Sequence, residues 1–181
     1  MSNDKMFTQT GTPGNREFRI VFEKMPANPD EMKMLPIADF SEPAFAAALT
    51  AAALTVYPSD KDACIAMLNW LKGPQPLTQY EIQSLRDRFA GKDYIAASFF
   101  EGASPKNNYT PDIPFSIKII ETPHSSAQAD EGYMQLYLKS SGADSPRPVK
   151  LRLKASTGEW FLWEQMLLSD IRIPEASDPW A

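Results

Sequence analysis

Hydrolytic, redox or metal chemistry most often starts from histidine or cysteine, and this sequence has one of each, His124 and Cys64. His124 follows Pro123 at the head of a polar loop. It would act as a general base only if a carboxylate such as Asp130 or Glu131 oriented it, and a solvent-exposed loop residue is the simpler expectation. No G-x-S-x-G turn is present to expose a serine nucleophile. One cysteine and one histidine cannot build the usual zinc ligand sets. Asp60 and Asp62, flanking Lys61, stand where a helix begins and are read as capping residues rather than oxygen ligands for a cation. Cys64 shares a helical stripe with Met67 and Leu71 and reads as a small core residue, because a nucleophilic thiol needs exposure and a lowered pKa. None of the eight glycines falls in a phosphate-cradling pattern. The match of Asn108-Tyr109-Thr110 to a glycosylation acceptor is at chance level. These residues therefore give no catalytic group, no metal site and no cofactor, and an enzyme is not the favoured reading.

Binding chemistry is better represented. Val149, Leu151 and Leu153 alternate with Lys150, Arg152 and Lys154, so if the apolar set faces a core, the three cations line the opposite side of the same strand. Lys118, Lys139, Tyr133 and Tyr137 would join them there. A surface of mixed cations and aromatic rings can dock an acidic partner protein or stack single-stranded bases, and it can also be a plainly solvated face. A second candidate surface is the segment from Glu101 to Pro111. Phe99 and Phe100 can anchor it, leaving Glu101, Asn107, Asn108 and Tyr109 to hydrogen-bond a partner. The competing reading is that these polar groups satisfy the loop's own backbone. Trp160 and Trp163, three apart, fall on opposite faces of a strand, so one of them should lie on the less covered side.

The elements that must position these residues follow from periodicity. The 181 residues carry 18 Lys and Arg against 23 Asp and Glu, a net charge of −5. Their length suits one domain, and the acidic balance argues against nucleic acid, whose affinity comes from clustered cations. No apolar run reaches the length of a membrane span, and the N-terminal residues lack the apolar stretch of a secretion signal. With a single cysteine, a reducing cytoplasmic setting is expected. Residues 1–16 show no period and are expected to be a flexible segment ahead of one domain spanning 17–181. Glu17 to Met25 alternates as a strand, after which Pro26, Pro29 and Pro36 are expected to bar regular structure. Pro43 opens an alanine-rich helix that should be largely buried. Asp60 caps a second helix, amphipathic through Cys64, Met67, Leu68 and Leu71. Thr78 and Glu81 form a capping box for a third, Tyr80 to Ala90. From Tyr94 the period shifts to two, and runs at Phe115, Met134, Val149 and Trp160 predict an antiparallel meander. The predicted fold is α+β: an N-terminal strand and three helices, then four to five strands, with the helices on one face.

The segment Asp93 to Pro111, together with Arg147-Pro148-Val149-Lys150-Leu151-Arg152, Trp160-Phe161-Leu162-Trp163-Glu164 and Asp170-Ile171-Arg172, resembles a family of uncharacterised bacterial proteins common in gut Clostridia. The resemblance runs from about Pro43 to Pro174 and implies a domain without an assigned activity, so no residue acquires a role from it. The functional expectation is a non-enzymatic domain that binds a protein through Glu101, Asn107, Asn108, Tyr109, Tyr137, Lys150, Arg152 and Lys154. A small-molecule pocket or enzyme of a cone-shaped α+β type is the first alternative, and single-stranded nucleic-acid binding the second.

Overall fold

Alternation of apolar and polar side chains builds a single sheet, and one alanine-rich helix covers it. The computed structural model describes residues 6–181. Its elements are β1 (Phe7–Thr10), β2 (Glu17–Phe22), α1 (Pro29–Lys33), α2 (Pro43–Val56), α3 (Lys61–Lys72), α4 (Gln79–Phe89), β3 (Phe115–Ile120), β4 (Tyr133–Leu138), β5 (Arg147–Lys154) and β6 (Glu159–Gln165). The strands lie side by side in chain order, each neighbouring pair antiparallel. Phe18, Ile20, Phe22, Ile117, Ile119, Leu136, Leu138, Val149, Leu151 and Leu162 are buried. Their alternates, among them Arg19, Lys118, Gln135, Lys150 and Arg152, stand on the other side, as a period of two requires.

Helix α2 lies against β3 through β6, and α3 packs on α2 and β6. Every residue of α2 from Pro43 to Leu54 is buried, which matches the expectation from its composition. A run of alanines leaves no bulky ridge on any side, so sheet and neighbouring helices can both approach the backbone closely. Side-chain caps fix where the helices begin. Asp60 Oδ1 accepts from Ala63 N at 3.0 Å at the head of α3. At the head of α4, Thr78 Oγ1 accepts from Glu81 N at 3.1 Å while Glu81 Oε2 accepts from Thr78 N at 2.7 Å. The α+β class with helices on one face is thus the fold observed.

Two parts differ from expectation. Residues 7–10, read as flexible, form edge strand β1, with Phe7 registered against Ile20 and its ring edge-on to Phe45 at 4.9 Å. Residues 1–5 of that segment lie outside the described residues. The proline-rich stretch after β2 holds the short helix α1, because Asn28 Oδ1 accepts from Glu31 N at 2.9 Å and Pro29 occupies the first position, where a missing N–H costs nothing. Among the described residues, six strands and the four α-helices named above result. Strands β3 and β4 pair only at Ile119↔Leu138 and Ile120↔Tyr137, and the chain fills the gap with a loop in which Ser125 O accepts from Gln135 N at 3.0 Å. At the far side, the outer edge of β6 is occupied by the Phe40 carbonyl, which accepts from Trp160 N at 2.9 Å. No helix among the described residues is long and apolar enough to cross a membrane.

Cys64 is fully buried on α3. Burial, with a smaller contribution from the nearby Asp60 charge, pushes its thiol up to about 12. A thiol reagent at pH 8 should therefore leave the folded protein unmodified and label it fully in denaturant. Rapid labelling of the native state, read by mass spectrometry, would contradict this placement.

Candidate docking face

The side of the sheet turned away from the helices divides into two halves with different electrostatics. Across β2 and β3 the charges are matched. Arg19 Nη2 meets Glu101 Oε2 at 3.2 Å and Lys118 Nζ lies 3.7 Å from Glu17 Oε1, while Arg16, which lies over the buried Phe18 ring at the end of the sheet, pairs with the buried Glu121. Burial works against the ionised Glu101, but the Arg19 hydrogen bond and charge outweigh it and hold its carboxyl below the usual range.

Across β4, β5 and β6 the cations are not matched in this way. The register puts Tyr133 opposite Arg152 and Gln135 opposite Lys150. Lys150 Nζ lies 4.6 Å from the centroid of the Tyr133 ring, and the Arg152 guanidinium lies 4.7 Å from Tyr133 and 5.0 Å from Trp163. An Arg152 N–H also reaches the Tyr133 hydroxyl, and the Tyr133 and Trp163 rings meet edge to face at 5.5 Å. Gln135 Nε2 donates to the Tyr137 hydroxyl at 2.9 Å. Across β5 from Lys150 and Lys154 stand Glu164 and Glu159. Among the described residues, however, no carboxylate comes within 4.0 Å of Lys150, Arg152 or Lys154. Lys150 leans toward β4 over the Tyr133 ring, and Arg152 is held between Tyr133 and Trp163.

An irregularity in β6 places Trp163 in this group. Lys150 pairs with Glu164 and Leu151 with Leu162, so Trp163 is the extra residue of a bulge. Its carbonyl accepts from Lys72 Nζ at 3.0 Å, and the same ammonium donates to Glu81 Oε1 at 2.8 Å. Lys72 is only 9% exposed. The capping carboxylate of α4, the last turn of α3 and the bulge are thus tied at one buried charge. Hollows of about 250 and 240 Å³ adjoin this tie, sharing Lys72, Leu162 and Trp163; Tyr80, Glu81 and Met166 line the first. The first lies between α3, α4 and β6, and the second between Pro74 and Gln75 and the Arg152 to Lys154 end of β5.

The sequence-predicted residues separate accordingly. Tyr137, Lys150, Arg152 and Lys154 share the open face, with Arg152 and Lys154 exposed. The segment of Glu101, Asn107, Asn108 and Tyr109 does not offer the free polar groups expected of it. Tyr109 is 2% exposed, stacked on Tyr94 with centroids 5.2 Å apart, and its hydroxyl donates to the Arg172 carbonyl at 2.5 Å. Asn107 spends both ends of its amide inside the loop, accepting from Ser104 N and Thr110 N at 2.9 and 3.1 Å and donating to the Gly102 and Thr110 carbonyls at 2.7 and 3.2 Å. Glu101 is paired with Arg19, and of the four only Asn108, in a left-handed turn, has an exposed side chain with no hydrogen bond among the described residues. Loop closure, the competing reading, is what these residues do. Tyr133 joins these cations as strand alternation requires, and Trp163, one of the two tryptophans read as falling on opposite faces of β6, stands beside them; Lys72 is the member that no sequence signal offered. His124 is exposed, and among the described residues no three His, Cys, Asp or Glu side chains converge as a metal site.

Residues 24–175 match the model of a family described as a domain of unknown function, DUF6935. The chain belongs to that family. The match starts at Lys24, well before the Pro43 boundary suggested by the motifs, and so takes in α1 and the turn after β2. No curated protein and no solved structure matches the chain.

The Lys72–Glu81 tie makes a pH-dependent prediction. Burial disfavours the Glu81 anion, but the hydrogen bonds from Lys72 and Thr78 and the Lys72 charge outweigh it, so its pKa lies below the ordinary value. A lowered folded pKa contributes stability that is complete above the unfolded value, about 4.3, and is lost as pH falls through the folded one. Glu81→Gln should cost roughly 1–2 kcal/mol at pH 7. The gap from the wild type should close as the pH drops below about 4. Urea titrations across that range that hold the gap constant would disprove the ionic origin.

Proposed function

We propose that this domain is a non-enzymatic binding module that docks a partner protein on the β4–β6 half of its open sheet face. The observation that carries the reading is the contrast between the two halves of that face. Arg19 and Lys118 are neutralised by carboxylates of the same chain, whereas Lys150, Arg152 and Lys154 are not. Arginine, tyrosine and tryptophan are also the residue types that dominate protein-binding hot spots, and here they sit together with their side chains held by one another. Holding a side chain in place before binding lowers the entropy lost on association. The single buried cysteine suits a reducing, cytoplasmic setting.

The pocket reading draws on the hollows beside Lys72 and Trp163. It is the weaker one, because Lys72 and Glu81 already satisfy each other there. The test of the docking reading is a selection from a random displayed-peptide library on the purified domain. Enrichment of related sequences by the wild type that Arg152→Glu fails to retain, with the fold of the variant verified by circular dichroism, is the expected result. A library from which nothing is enriched, or from which the same sequences survive the charge reversal, would reject this face.

A further inference from the structure

We infer that the partner presents an extended segment with carboxylates at every second position, laid along β5 over the Tyr133 side. This deepens the docking reading and rests on it. Lys150, Arg152 and Lys154 occupy alternate positions of one strand, so their Cα atoms repeat about every 6.7 Å along it. An extended peptide turns alternate side chains to the same side with the same repeat, so a chain carrying Asp or Glu at every second residue meets the three cations in register. Contiguous acids present half of their charges to the wrong side.

The direction in which the cations lean fixes where the segment lies. Lys150 lies over Tyr133, and Arg152 stands between Tyr133 of β4 and Trp163 of β6, so the positive charge runs along β5 and leans to the β4 side at Lys150. Tyr137 and Gln135 continue that side along β4. Nucleic acid has a comparable phosphate repeat, but its single-stranded forms also need open aromatic faces for the bases. Here the rings are taken: Lys150 and Arg152 lie over Tyr133, Arg152 lies over Trp163, and the two rings also meet each other.

Fluorescence anisotropy with three labelled probes tests the inference: a short peptide with Glu at every second position, an isomer of the same composition with its glutamates contiguous, and oligothymidylate. The alternating peptide should bind best, with an affinity that falls as salt is raised. Lys154→Glu should weaken it roughly tenfold. That side chain is exposed and makes no polar contact among the described residues, so the substitution leaves the fold intact. Equal binding of the two peptides would overturn the register argument, and tighter binding of oligothymidylate would overturn the choice of a peptide. If neither peptide binds while the displayed library still yields sequences lost on Arg152→Glu, the acidic chemistry is wrong and the docking face stands. If the library is also silent, the docking reading itself fails.

Discussion

The fold depends on how closely α2 can lie against the sheet. A helix buried from Pro43 to Leu54 has no solvent side, so it needs apolar partners all round: the sheet on one side, and α3 and the segments near it on others. Alanine makes this possible by keeping the helix thin, and Leu49 and Leu54 supply the larger side chains that reach into the core. Because all the helices are gathered on that side, every alternate residue of the sheet is left on the other, in water or against its strand neighbours. The polar character of the open face is thus a consequence of the way the core is filled.

Given that face, the chain balances its charges unevenly. At the β2–β3 end each cation has a carboxylate nearby, and exposed pairs of this kind contribute only about 0–1 kcal/mol each, so their effect is to quiet the local field rather than to hold the sheet together. At the β4–β6 end the rings of Tyr133 and Trp163 hold the cations instead. An aromatic face orients a guanidinium without cancelling its charge, and the field of Arg152 still extends outward into solvent. The same side chains thereby gain order and keep their charge.

Much of this was legible in the sequence. Alternation in β5 separated Leu151 from Arg152, the Thr78–Glu81 box fixed the start of α4, and the runs at Phe115, Met134, Val149 and Trp160 are strands, although the period of two read from Tyr94 begins too early, since Ala96–Phe99 is a 3-10 helix. What escaped lacked a repeating signal. Strand β1 has one large apolar residue, Phe7, in four, too few for a period to show, and it is held by its register with β2. Helix α1 is five residues long, shorter than any window in which 3.6-residue spacing can be counted. The Glu101 to Pro111 segment misled for another reason. Asn107, Asn108 and Tyr109 have the composition of a recognition loop, but two successive left-handed residues, Asn108 and Tyr109, turn the tyrosine inward onto Tyr94. The bulge at Trp163 was equally hidden, since it arises only when β6 is laid against β5.

The bulge has one more effect, on how molecules of this protein meet one another. A terminal strand with free N–H and C=O groups is a template on which another chain can grow, and proteins that leave one open tend to stack into continuous ribbons. Here the rim of β6 is plugged twice, by the Phe40 carbonyl on Trp160 and by the Lys72 ammonium on Trp163. Lateral growth from that side is closed off, and the opposite rim is the short strand Phe7–Thr10, three of whose four residues are exposed and polar. The molecule can therefore keep one broad side of its sheet open to water without inviting its own copies to polymerise along it.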